Sequence, residues 1–188
     1  MSEHAGFCSA CGAPVTTAVP NGDSRPRSVC PACGTIHYVN PKLVVGTVPE
    51  HAGRILLCRR AIEPRKGYWT VPAGFMELGE TLGEAALRET WEEALARVEL
   101  GSLFSVVDVV HAGQVHVFFR ARLPEPEFGA GEETLETRLF APAEIPWDDL
   151  AFPSIRIALE QYLEDGRSGN TEVRLQTAPR VRFERPRA

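Results

Sequence analysis

Short runs of apolar and polar residues divide this chain into a regular series of elements. KLVVGTV (42–48) and RILLCRR (54–60) are rich in β-branched and aliphatic residues. The intervening EHAG turns the chain, so the pair predicts a β-hairpin. GYWTVPAGF (67–75) predicts another strand that ends at Pro72 and Gly74. SLFSVVDVV (102–110) and QVHVFFRARL (114–123) predict two strands joined at HAGQ. PEPEFGAGEET (124–134) reads as a loop and LETRLF (135–140) as a short strand. Twice the spacing becomes helical. TLGEAALRETWEEAL (81–95) opens on Thr81 with Glu84 three residues on, the pattern of a capping box. PSIRIALEQYLED (153–165) places Ile155, Leu159, Tyr162 and Leu163 at helical spacing. Residues 166–188 carry six arginines with little apolar periodicity, which reads as a solvated tail or an edge strand.

With 188 residues, 44% of them apolar and 24% charged, the chain has the composition of one medium globular domain plus a small appendage. A net charge of −5 argues against a general nucleic-acid binder. No run of 18 apolar residues is present, so no transmembrane span is expected. MSEHAGFCSA has neither a basic nor an apolar leader region, so the expectation is a cytoplasmic protein with reduced thiols.

Four of the five cysteines fall in two CxxC pairs, Cys8 with Cys11 and Cys30 with Cys33, separated by 18 residues. That spacing suits a four-cysteine zinc site, because each turn aims two thiolates at one point. Gly12 and Gly34 follow the second cysteine of each pair, where a positive φ lets backbone N–H groups reach the sulfurs. About 37 residues cannot bury a core of their own, so metal binding would supply the folding energy. A closed site of four thiolates is structural, not catalytic. Residues 1–37 are therefore expected to form a zinc ribbon, 38–165 the main domain and 166–188 the arginine-rich tail. Cys58, alone in an apolar run, reads as a small buried hydrophobe.

The helix RETWEEAL raises a different question. At 100° per residue Glu89, Glu92 and Glu93 lie within about 40–100° of one another. Carboxylates crowded in this way repel, and Arg88 offsets only part of the repulsion. Gly74 closes a strand, Glu80 follows six residues later and Arg88 eight after that. A strand, a glycine turn and a helix with convergent carboxylates make a pocket of hard oxygen ligands suited to Mg²⁺ or Mn²⁺. A solvated acidic face is the bland alternative.

GFMELGETLGEAALRETWEEALA resembles the Nudix box, with Gly74, Glu80, Arg88, Glu89, Glu92 and Glu93 in register. Thr90 stands at an aliphatic position of that pattern. Leu95 replaces its glycine, which removes the residue that usually ends the helix in the left-handed region and leaves the helix end open to lengthening or a shift. A zinc ribbon before such a domain is similar to the NADH pyrophosphatases and to the plant plastid FAD/ADP-ribose pyrophosphatases. The Pro- and Trp-rich motif of the NADH branch is absent. YVNPKLVVG, GYWTVPAGFMELGET, ETRLFAPAEIPWDDLAF and QYLEDG look like the FAD/ADP-ribose branch.

The resemblance implies an α/β fold with a mixed sheet sandwiched between helices and the box as loop–helix–loop. It implies Glu89, Glu92, Glu93 and the Gly74 carbonyl as ligands of a catalytic divalent ion, and Arg88 as the holder of a glutamate such as Glu80. Glu89, Glu92 or a loop residue would serve as general base, with Glu136 as the leading loop candidate and Glu133 the other. Tyr68 and Trp69 are candidates for base stacking, core packing being the leading role for Trp69. His111, His116 and Phe118 read as structural. The expected function is metal-dependent hydrolysis of the diphosphate of FAD, giving FMN and AMP, or of ADP-ribose. The contrasting reading is a non-catalytic ligand sensor or RNA-binding protein. The complete glutamate set argues against it, as does a knuckle loop with Arg25 and Arg27 but no aromatic platform. A homodimer is expected by analogy with relatives of this architecture.

Overall fold

The structure is a computed structural model, described for residues 6–181. The first five residues of the leader stretch discussed above, and Arg182, Arg185 and Arg187 of the tail, lie outside the described residues. The chain divides into two compact units at Pro41/Lys42.

In the first unit three short strands, β1 (Thr16–Ala18), β2 (Arg27–Val29) and β3 (Ile36–His37), form an antiparallel sheet in that order. The two cysteine turns repeat one another. Gly12 N–H donates to Cys8 O and Gly34 N–H to Cys30 O, both at 2.9 Å. The two glycines take φ of 74° and 76°, which a side chain would disfavour.

The second unit is built on an eight-stranded mixed sheet. Its strands are β4 (Lys42–His51), β5 (Arg54–Arg60), β6 (Trp69–Thr70), β7 (Ala73–Phe75), β8 (Glu99–Val109), β9 (Gln114–Arg122), β10 (Thr134–Phe140) and β11 (Arg174–Thr177). The main order is β10-β5-β4-β9-β8-β11, with β6 paired to β5 and β7 to β4. β4 with β9 and β8 with β11 run parallel. Helices α1 (Leu82–Ala94) and α2 (Pro153–Ser168) pack on the sheet. Strand alternation explains the layers. On β5, Leu56 and Cys58 join Ala94 of α1, whereas Ile55 and Leu57 join Ile155 and Leu159 of α2. On β4, Val45 meets Ala85 and Ala86 of α1, while Val48 belongs to the α2 side. The continuous apolar run ILLC is thus a strand buried on both faces, and Cys58 is the buried hydrophobe expected.

The structure refines three expectations, one of them by deciding between a tail and an edge strand. GYWTVPAGF is not one strand. β6 follows β5 and β7 follows β4, and the kink at Val71–Pro72 carries the chain from one partner to the other. The step is tight: Thr47 N–H donates to Pro72 O at 3.1 Å, and a Cβ on Gly46 would overlap Ala73. The arginine-rich stretch contributes the parallel edge strand β11, and Arg174 pairs with Glu164 at 2.7 Å and with buried Asp165 at 2.6 Å. Asp165 also binds Arg120 of β9 at 2.6 Å, so one carboxylate ties α2 to two strands.

The third change is at the end of α1, which neither lengthens nor shifts. Leu95 itself takes the left-handed conformation, φ 47°, with its N–H on Trp91 O. The 124–134 loop supplies what the missing glycine would have eased. Gly129 N–H reaches Ala94 O at 2.8 Å and Gly131 N–H reaches Glu93 O at 3.1 Å, so the last carbonyls of the helix are bonded.

Candidate active site

The four paired cysteines converge, with all four sulfurs within 4.8 Å of one another. Cys8 Sγ is 3.6 Å from Cys33 Sγ, and Cys11 Sγ is 3.5 Å from Cys30 Sγ. Zn–S bonds of about 2.3 Å in a tetrahedron put sulfurs about 3.8 Å apart, so the set fits zinc. The separations are far too long for disulfides. Burial pushes the Cys8 thiol up, but N–H groups of Ala10 and Cys11 and the His37 ring outweigh it and favour the thiolate.

In the second unit the capping box forms at the start of α1. Thr81 Oγ1 accepts from Glu84 N–H at 3.2 Å, and Glu84 accepts from Thr81 N–H at 2.7 Å. This fixes where the helix begins and hence which side carries Glu89, Glu92 and Glu93. The other anchor is a buried hydroxyl pair, Thr47 Oγ1 to Thr90 Oγ1 at 2.6 Å, with Thr90 also bonded to Ala86 O at 2.7 Å. Thr90 thus replaces an aliphatic residue with a bond between α1 and β4.

Arg88 organises the acidic cluster. Its guanidinium donates to Glu80 at 3.0 and 2.7 Å, to Glu89 at 2.7 Å, to Glu92 at 3.0 Å and to Phe75 O at 3.1 Å. Those bonds to Arg88 hold the Glu80 carboxyl down to about 2. Glu89 and Glu93 behave in the opposite way. Burial pushes both up, Glu93 to about 7 even though Ala73 N–H donates to it at 3.0 Å. Glu89 lies so close to Gly74 that a Cβ there would overlap its carboxylate. Gly74 is needed, then, for a carboxylate to lie flat against the end of β7.

Two buried acids that resist ionisation lie beside the exposed Glu92, and the one guanidinium of Arg88 is shared among Glu80, Glu89 and Glu92, a group of hard oxygens whose chemistry suits a divalent ion. Among the described residues the cysteines are the set drawn within 4.8 Å of one another. The helix carboxylates stand farther apart, each held by Arg88 or Ala73. A divalent ion held by these carboxylates would add to the neutralisation that Arg88 provides.

Glu133 and Glu136 separate. Both Glu89 and Glu93 feel the charge of Glu133. Glu136 lies on β10, half-exposed, 3.6 Å from Arg59. Trp69 packs edge-on against Phe140, centroids 4.9 Å apart, as a core residue. Tyr68 carries the Arg65 guanidinium 3.3 Å from its ring centroid. His116 and Phe118 are buried in the sheet, and His111 is an exposed residue of the Val110–Ala112 turn. Sequence reasoning missed Gly129 and Gly131, whose only signal was a glycine-rich loop between strands.

Comparison with known proteins agrees with this geometry. A family model described as "Nudix N-terminal", a zinc ribbon, matches residues 6–39, and the NUDIX domain model matches residues 41–161. The crystal structure of a NUDIX hydrolase from Nitrosomonas europaea superposes with a TM-score of 0.88 at 49% identity, covering 92% of this chain and 98% of that one. An ADP-ribose pyrophosphatase of Methanocaldococcus jannaschii is 33% identical over 130 residues, 67% of this chain and 75% of that protein. The NAD-capped RNA hydrolase NudC of Chromobacterium violaceum is 37% identical over 95 residues, 50% of this chain but only 33% of that protein. Among the described residues no helix is long and apolar enough to cross a membrane. A ribbon of four convergent thiols, a mixed sheet between helices and a complete glutamate helix docked on Gly74 together place the chain in the Nudix hydrolase family, as an enzyme with a Nudix-type zinc ribbon before its catalytic domain.

Proposed function

We propose that this enzyme hydrolyses the diphosphate of a nucleoside diphosphate linked to a second moiety, with FAD the first candidate and ADP-ribose the second. The observation that carries the reading is the cradle of Glu89, Glu92 and Glu93 against Gly74. The preference for FAD rests on the likeness of YVNPKLVVG, ETRLFAPAEIPWDDLAF and QYLEDG to the plant plastid-type branch. ADP-ribose is favoured by the relative named for it.

Glu89, Glu92, Glu93 and the Gly74 carbonyl would hold Mg²⁺ or Mn²⁺, and Arg88 orients Glu89 and Glu92 while its bonds to Glu80 and Phe75 O fix its own position. The bound ion would screen the diphosphate and lower the pKa of an attacking water. Glu133, whose charge reaches both Glu89 and Glu93, would take the proton from that water in this reading, with Glu136, the loop base expected from the sequence, as the alternative. One P–O bond forms to the water oxygen, the bridging P–O bond breaks, and two monophosphates leave: FMN and AMP from FAD, AMP and ribose 5-phosphate from ADP-ribose. The four thiols hold structural zinc, which a reducing cytoplasm allows. A homodimer belongs to the same reading by analogy.

A screen of FAD, NADH, ADP-ribose, CoA and diadenosine polyphosphates with Mg²⁺ or Mn²⁺, products identified by mass, tests the proposal. FMN and AMP from FAD are expected, with turnover of FAD above the others. Turnover of none of these diphosphates would overturn it.

A further inference from the structure

We propose that the cavity walled by Trp147 and Phe152 receives the planar ring of one nucleotide half of the substrate, and that Arg60 binds the phosphate of that half on its way to the glutamate cradle. This rests on the diphosphate hydrolase reading above and adds a ring subsite to it.

The cavity measures about 290 Å³ and is lined by Trp147, Phe152, Pro153, Arg156 and Pro179 among others. Ligand pockets run from about 300 Å³ upward, so this one holds a single ring system, not a whole dinucleotide. Its chemistry suits such a ring. Two half-buried aromatic walls offer π faces, and Arg156 stands 5.3 Å from the Trp147 centroid, fixed there by a bond to Trp147 O. Aromatic and guanidinium planes are what nucleotide rings stack on. Asp148, exposed at the rim, can accept from an exocyclic amine.

The link to the cradle is Arg60. Its guanidinium lies 5.2 Å from the centroid of Phe152, outside the cavity lining. Its backbone sits beside the catalytic loop: Arg60 pairs with Thr134, and Ala61 N–H donates to Glu133 O at 2.8 Å. Glu93 feels the Arg60 charge. Among the described residues the Arg60 side chain makes one hydrogen bond, to Pro64 O at 3.0 Å, and no ion pair, so donors remain for a phosphate oxygen. The cavity wall is also tied to β6, from which the chain passes through Val71–Pro72 into β7 and Gly74. Ala151 N–H donates to Trp69 O at 2.8 Å, Leu150 bridges Trp69, and Arg65 Nε donates to Ala151 O at 3.2 Å.

Calorimetric titration of the full chain with AMP and with FMN, each without added divalent ion, tests this directly. At least one should bind wild type and bind Trp147→Leu more weakly by about fivefold or more, the loss of one stacked face. The KM for FAD should rise by a similar factor in Trp147→Leu and in Arg156→Gln with kcat nearly unchanged, because only uniform binding is removed. Arg156→Gln leaves the wall in place, so it decides the matter if Trp147→Leu melts early. Equal AMP and FMN binding by wild type and both variants, or binding of neither nucleotide by wild type, would overturn the subsite. FAD turnover with unchanged KM in both variants would leave the hydrolase reading standing and remove the ring site alone. Absence of FAD and ADP-ribose turnover in wild type would fall on the hydrolase reading, and the titration would still judge the subsite.

Discussion

At the scale of single residues, environment separates groups that look alike. Glu80 and Glu93 are both box glutamates. Arg88 holds one ionised, while burial makes ionisation of the other costly. Glu133 and Glu136 lie three residues apart on one segment, yet the charge of the first reaches Glu89 and Glu93 while the second stands 3.6 Å from Arg59. With Glu133 as general base, Glu133→Gln lowers kcat by about 10²–10⁴-fold and removes the acid limb of the pH–rate profile. Glu136→Gln leaves both nearly unchanged, and steady-state rates across pH separate the two. His116 yields a stability prediction. Burial lowers its pKa from 6.5 to about 4. A folded-state value below the unfolded one means the unfolded chain binds the proton more readily. Stability should thus be undiminished above pH 6.5 and fall by roughly 3 kcal/mol as the pH drops toward 4. Denaturant titrations should show a shallower fall for His116→Gln over that window.

At the scale of elements, local signals were legible and non-local ones were not. The capping box, the helix register of the glutamates and the two cysteine turns depend on residues within about four positions, and they stand as read. The division of GYWTVPAGF into β6 and β7 depends on β5 and β4 as separate partners, which no local pattern encodes. The parallel pairing of β11 depends likewise on a strand about 70 residues earlier. Leu95 shows the same limit, since its unusual conformation is supported by Gly129 and Gly131 from a distant loop. That support can be tested. A Cβ on Gly131 would collide with Glu92 O. Gly131→Ala should therefore destabilise the protein by about 1–3 kcal/mol. It should also lower kcat more than KM, because the loop that carries Glu133 is displaced. Melting temperature and steady-state kinetics on the one variant check both halves.

At the scale of the whole molecule, the cysteine ribbon and the glutamate helix would divide the work between two metals. The ribbon has four thiols and no core of comparable size, so its order should depend on zinc. Chelation, or Cys30→Ser, should lower the melting temperature and solubility before it alters turnover. A zinc-free protein with an unchanged melting temperature would contradict that. The catalytic unit has its own large core, and its acidic cradle is tolerated for the sake of the divalent ion it would bind. Glu93→Gln tests this most directly, with FAD hydrolysis in Mg²⁺ and metal-free melting temperature measured on the same preparation. The variant should lose nearly all hydrolysis, because a hard anionic ligand is gone. Its metal-free melting temperature should stay level or rise slightly, since burial already makes the ionised form of Glu93 costly and the neutral amide removes both that cost and the repulsion from Glu89. Wild-type rates of FAD hydrolysis in Glu93→Gln would mean that these carboxylates hold no catalytic ion, and would contradict the account.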